Sequence, residues 1–185
     1  MDLPPRHCEH TGNMIIVYPK RVRACELKKE QDRLNALMDN PLASELNPAI
    51  DDARLLARGA ARLLYDMGYT AIPEFSFKTG RRADLFALGP KGEMTVVEVK
   101  SGIADFRADT KWMEYWSWCD RLYFAVSDRF PHDVLPDQAG LIIADGFGAA
   151  IIRESPHDPI NAARRKSVML RFARCAAERL GRLDP

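Results

Sequence analysis

At 185 residues the chain has room for one domain with some tens of residues to spare. Its hydrophobic fraction of 46% and charged fraction of 29% are those of a globular protein that builds its core without disulfide or metal staples. The formal net charge of +1 makes no global case for a polyanionic partner, so any basic surface must be local, and no apolar run approaches a membrane span.

Residues 1–48 read as an N-terminal extension, mobile or dispensable, before a core domain over 49–185. The extension holds a short strand-like run, "MIIVYPKRV", and a charged helix, "ACELKKEQDRLNALMDN", and it closes on the proline-punctuated "NPLASELNP". Met14 and Met38 are alternative starts, and no signal peptide's apolar stretch or cleavage site precedes them. His7, Cys8 and His10 lack the second cluster that a tetrahedral metal site needs. Cys8, Cys25, Cys119 and Cys175 form no CxxC pair, which points to reduced thiols in a cytoplasmic protein rather than to structural zinc.

From Asp51 the pattern tightens. "DDARLLARGAARLLYDMG" places Leu56, Ala60, Leu63, Leu64 and Met67 on one helical face and stops at Gly68. Three strand-like runs follow, "YTAIPEFSFKTG", "RRADLFALGPKG" and "EMTVVEVKSG", parted by glycine turns. "IADFRADTKWMEYWSWC" reads as one helix, "DRLYFAVSD" as a buried strand, and "GLIIADGFGAAIIRE" as a hairpin around Gly146 and Gly148. The last helix, "NAARRKSVMLRFARCAAERLGRL", is expected to bury Met169, Phe172, Ala173, Ala176 and Leu180. This order gives an α/β layered domain.

The third run carries two charges among valines. Side chains alternate along a strand, so Glu98 and Lys100 share one face and Val97 and Val99 the other. "GPKGE" fits a three-residue loop, Pro90-Lys91-Gly92, with Gly92 left-handed. Gly89 then pairs with Glu93, and counting back sets Asp84 opposite Glu98. Opposed carboxylates repel unless a cation lies between them. A divalent cation such as Mg²⁺, which takes hard oxygen ligands and keeps waters, fits that place, with Lys100 beside it. The other reading is a solvated sheet face on which Glu98 and Lys100 pair with each other. The flanking runs "ADLFAL" and "TVVEVK" are too apolar for a freely solvated strand.

Asp84 followed by Glu98-Val99-Lys100, on consecutive strands behind a helix, resembles the PD-(D/E)XK nuclease motif. The longer runs "GRRADLFALGP", "VVEVKSGIADFRADTKWMEYWSWCDRLYFAV", "GLIIADGFGAAIIRE" and "ARRKSVMLRFAR" resemble the MmcB-like DNA repair proteins, from about Asp51 to the C-terminus. That resemblance implies a restriction-endonuclease-like mixed sheet flanked by helices, and a DNA repair endonuclease. Ala83-Asp84 stands for the leading "PD", which keeps the carboxylate. The resemblance further implies that Asp84 and Glu98, with the Val99 carbonyl, hold Mg²⁺ (or Mn²⁺), and that Lys100 orients or deprotonates the attacking water. Glu74, in "IPEF", matches an additional acidic residue near the metal; beside Pro73 it equally reads as a polar residue on an outer strand.

On the helix expected after the charged strand, Arg107, Lys111, Tyr115 and Trp118 fall at spacings of four, four and three, one stripe on one face. Lys111 and Tyr115 resemble the Q-x-x-x-Y pattern of related nucleases, with lysine for glutamine. The stripe reads as a phosphate clamp with an aromatic platform, or as a basic rim over a core that takes Trp112, Trp116 and Trp118. In the last helix Arg164, Arg171 and Arg182 lie opposite the expected apolar stripe and make a second DNA-facing surface. No base-reading motif is present, so binding is expected to follow DNA structure rather than sequence. Two other readings stand beside the nuclease: a nuclease-fold DNA-binding or adaptor module that does not cut, and a small-molecule enzyme. The last lacks a phosphate-cradling glycine loop and any nucleophile with a base.

Overall fold

A computed structural model describes residues 48–109 and 111–183. The expectations for residues 1–47, including His7, Cys8 and His10, lie outside the described residues. Helix α1 (Pro48–Asp66) opens on a proline, whose fixed φ suits a first helical turn. It closes where Gly68 turns left-handed at φ 85, with Gly68 N–H donating to Tyr65 O (2.9 Å) and Tyr69 N–H to Leu64 O (2.9 Å). Met67 falls in that turn and is exposed, so it leaves the apolar face on which it was expected.

Six strands follow: β1 (Thr70–Ser76), β2 (Arg82–Leu88), β3 (Met94–Val99), β4 (Arg121–Val126), β5 (Gly140–Ala144) and β6 (Ala149–Arg153). They form one mixed sheet in chain order, antiparallel at β1–β2, β2–β3 and β5–β6 and parallel at β3–β4 and β4–β5. The β2–β3 turn is the one expected: Gly89 N–H donates to Glu93 O at 2.8 Å, Gly92 has φ 85, and Leu88 pairs with Met94. The β5–β6 hairpin also forms where it was expected.

Each face of the sheet is covered. On one, Leu56, Ala60, Leu63 and Leu64 of α1 meet Leu85, Val97, Val99, Ala125 and Ile142. On the other, Phe75 and Phe86 stack with centroids 4.6 Å apart beneath Phe172 of α3 (Ala162–Gly181). This α/β arrangement bears out the expected mixed sheet flanked by helices.

Two further expectations fail. The single helix after β3 is instead a short α2 (Ile103–Ala108) and a separate 3₁₀ helix, Trp112–Ser117. Asp109 is extended (φ −91, ψ 93), its carboxylate bonded to the Lys100 ammonium and to Lys111 N–H, and that ends α2. The buried residues of α3 are Val168 and Phe172, with Cys175 and Ala176 packed beside them, while Met169, Leu170, Ala173 and Leu180 are exposed. The face turns because Arg165, Arg171 and Arg179 reach inward to fixed acceptors.

The tip of the β5–β6 hairpin sits on α1. Arg58 donates to Gly146 O and Arg62 to Phe147 O, and a Cβ at Gly59 would lie 2.2 Å from Asp145 O and 2.4 Å from Gly148 O. Gly59→Ala therefore gains helix propensity but forces backbone apart, with an expected net loss of about 1–3 kcal/mol. Thermal denaturation checks this; a raised Tm would mean that the hairpin yields.

Candidate functional site

The β2–β3 ladder runs from Leu88↔Met94 to Leu85↔Val97 and stops. Beyond it β2 stays paired to β1 as far as Ser76↔Arg82, and β3 stays paired to β4 as far as Val99↔Ala125. The β2 and β3 strands part at this end, and carboxylates take the place of ladder carbonyls. Val99 N–H donates to Asp84 Oδ2 at 2.8 Å, and Asp84 N–H to Glu98 Oε1 at 3.4 Å. The expected opposition of Asp84 and Glu98 is therefore found, at the mouth of a cleft of about 1020 Å³.

Glu98 and Lys100 are each only 4% exposed, so the solvated-face reading does not hold. Burial, reinforced by the Asp84 charge, pushes the Glu98 carboxyl up to about 8. Burial also raises the Asp84 carboxyl, with Glu74 and Asp105 adding to the rise. Lys100 Nζ lies 2.6 Å from Asp109 Oδ2 and 3.8 Å from Glu98 Oε2. Burial opposes its charge, yet these carboxylates outweigh the burial and hold the ammonium above its ordinary value. Two carboxylates in a low-dielectric mouth with one shared ammonium are short of positive charge. One or two carboxylates with waters suit Mg²⁺. Among the described residues no group of three or more His, Cys, Asp or Glu side chains is placed to hold a metal ion, so the two carboxylates would need the Val99 carbonyl and water.

Glu74 lines the same cleft. Its φ of 52 is unusual for a residue with a side chain, and it interrupts pairing between Pro73↔Leu85 and Phe75↔Ala83. Its carboxylate meets Arg82 at 2.6 Å.

The expected stripe of Arg107, Lys111, Tyr115 and Trp118 does not exist as one face, because α2 ends between its members. Arg107 and Lys111 are exposed. Tyr115 is buried, its hydroxyl donating to Arg82 O at 2.8 Å, so it offers no platform for a base. Burial first, then the Glu98 and Asp84 charges, raise its phenol. Trp118 lies under the Arg164 guanidinium at 5.1 Å, and Arg164 also donates to Ser117 O. Arg171 donates to Ser76 O. Both arginines thus hold neighbouring elements together rather than standing clear of the surface.

Other residues of the cleft carry no signal in a motif. Arg54 and Arg58 of α1 line it beside the small side chains Ala53, Ala57 and Ala61. The four-residue spacing of each set is visible in the sequence; that alanines leave room where arginines reach over a site is visible only once the sheet end is open. Asp105 and Asp109 likewise reach the Lys100 region from α2 and its end, Asp105 accepting from Ser101 N–H at 3.3 Å.

A sequence profile of the family described as "DNA repair protein MmcB-like" matches residues 39–185. No curated protein matches the chain. Among solved structures, a protein of unknown function from Silicibacter pomeroyi is 46% identical, with a TM-score of 0.69; the match covers 71% of this chain and 90% of that one. Among the described residues no helix is long and apolar enough to cross a membrane.

Proposed function

The chain belongs to the MmcB-like DNA repair family, and from that premise we propose that it is a metal-dependent DNA endonuclease of the PD-(D/E)XK type. The observation that carries this is the pair of carboxylates, Asp84 and Glu98, set side by side where β2 and β3 part, with buried Lys100 next to them. A chain gains nothing in stability from such a pair, since burial raises both carboxyls, with the Asp84 charge adding to the rise at Glu98 and the Glu74 and Asp105 charges to that at Asp84. The arrangement makes sense as a place for positive charge.

Mg²⁺ or Mn²⁺ held by Asp84, Glu98 and the Val99 carbonyl would supply Lewis acidity at a phosphate and a bound water of lowered pKa. Glu74 lines the same cleft from β1, but its carboxylate is engaged by Arg82 and does not join the pair as a third ligand. Lys100, kept protonated by Asp109 and Glu98, places a fixed charge where negative charge builds on the phosphorane oxygens. Arg54 and Arg58 line the cleft from above and suit bidentate contacts to flanking phosphates, fixing the strand without reading its bases. Arg107 of α2 and Lys111 beyond its end are exposed and free to add positive charge to the DNA-facing surface.

A non-cleaving DNA-binding module is the second reading, favoured by the Lys100–Asp109 contact at 2.6 Å, which satisfies the lysine within the protein. Single-stranded, nicked, flapped and cross-linked DNAs incubated with the protein and Mg²⁺ or Mn²⁺ separate the two. Cleavage that stops on addition of chelator is the expected result. Binding without cleavage on every substrate would overturn the nuclease and leave the module.

A further inference from the structure

We propose that the face of α3 turned toward β1 is a second anion site, adjoining the carboxylate cleft, that takes another phosphate of the same nucleic-acid strand. The proposal rests on the DNA-binding part of the reading above and extends it from a point to a track. Arg171, Arg174, Arg179 and Arg182 line one cavity of about 410 Å³, together with Glu74 and Glu178. Four guanidiniums against two carboxylates leave the cavity net positive by two.

Helical spacing brings them together: 171, 174, 178 and 182 follow steps of three and four, with 175 and 179 alongside. The arginines are not equivalent. Arg171 donates Nε to Ser76 O, and Arg179 donates Nη2 to Pro73 O at 2.6 Å, so both are fixed in place. A guanidinium has five donors, and each of these keeps several for a ligand. Arg174 meets only Glu178, at 3.8 Å and with both side chains well exposed, a pair worth little in water. Arg182 makes no ion pair among the described residues. Two held and two reaching arginines in one concavity suit a phosphate oxygen cluster better than an ordinary solvated face does.

Glu74 joins this cavity to the cleft. It lines both, at the point where its φ of 52 interrupts β1. A strand with its reacting phosphate at Asp84 and Glu98 therefore passes Glu74 and presents a further phosphate to α3. That phosphate is either internal to the strand or its terminal group; the chemistry recognised is the same.

The test uses Arg174→Gln with Arg182→Gln, leaving in place the two arginines that anchor α3 to β1. Affinity for labelled single-stranded DNA is measured in chelator across a salt series, with 5′-phosphorylated linear, 5′-hydroxyl linear and circular strands. If both arginines contact phosphate, affinity falls several-fold and the slope of log K against log salt shrinks by about 1.4. An equal loss on all three strands assigns the site to backbone phosphate, and a loss confined to the 5′-phosphorylated strand assigns it to a terminal phosphate. Unchanged affinity and slope on every strand would overturn the proposal, as would an equal loss from the exposed control pair Lys91→Gln with Arg129→Gln. Cleavage plays no part in this measurement. A parent that binds DNA but never cuts defeats the nuclease alone, and a parent that binds no DNA defeats both.

Discussion

Glu98→Gln should abolish cleavage and, in metal-free buffer at neutral pH, make the protein more stable. The amide keeps the shape of the side chain and its acceptor for Asp84 N–H, but it cannot ionise beside Asp84. The sign follows from the raised carboxyl. An ordinary glutamate is ionised in the unfolded chain above about pH 4.3, whereas Glu98 in the fold stays protonated until about 8. The folded state therefore binds more protons than the unfolded one across that window, and parent stability falls as pH rises through it. At pH 7 the cost is about 4 kcal/mol, at 1.36 kcal/mol per pH unit above the unfolded value, and the glutamine variant escapes it. Divalent metal should restore parent stability and leave the variant unmoved. Melting curves at pH 5 and 8, with and without Mg²⁺, beside a cleavage assay, check both halves. A variant less stable than the parent at pH 8 without metal would show that Glu98 is not held as a costly carboxylate. Lys100→Met separates the roles further: cleavage should be lost while metal binding, followed by calorimetry, persists. Asp84→Ala should lose both.

The largest expected loss of stability falls far from any motif. Asp120 is 1% exposed, and its carboxylate accepts from Met94 N–H (2.8 Å), Ile160 N–H (3.0 Å) and both terminal nitrogens of Arg165 (2.7 and 2.6 Å). It fixes the start of β3, the approach to α3 and α3 itself at one point. Asp120→Ala leaves the buried Met94 amide and the part-buried Ile160 amide without an acceptor and the part-buried Arg165 guanidinium with only Gly92 O, at an expected cost of about 3 kcal/mol or more and roughly 10 °C in Tm. Although burial opposes its charge, the Arg165 and amide hydrogen bonds outweigh it and hold the Asp120 carboxyl below its ordinary value. Its contribution is present above the unfolded aspartate value near pH 3.9 and is lost as pH falls through the lower, folded one. The gap between parent and Asp120→Asn should accordingly close in acid. A gap that widened there would refute the assignment.

Asp120 shows where sequence reading stops. Its partners lie 26, 40 and 45 positions away, so nothing local marks it. Asp84 and Glu98, by contrast, are linked by one tight turn. Gly92 must be left-handed, that fixes the loop, and counting along two strands does the rest. The end of α2 was hidden because Asp109 leaves the helix for Lys100, a contact that exists only after β3 is in place. The buried face of α3 was misread for a related reason. Hydrophobic periodicity takes arginine as outward, and Arg165, Arg171 and Arg179 each turn to acceptors fixed by the sheet.

Those α3 arginines have a consequence for how the molecule meets copies of itself. β1 is an outermost strand, and such an edge usually presents free carbonyls and amides on which another chain can build. Here the carbonyls of Pro73 and Glu74 accept from Arg179 and that of Ser76 from Arg171. Pro73 has no amide hydrogen to give, and Glu74 breaks the extended line at φ 52. Pro73, Glu74 and Ser76 thus offer an incoming strand little template. The same contacts that carry α3 along β1 guard this edge of the sheet against edge-to-edge pairing.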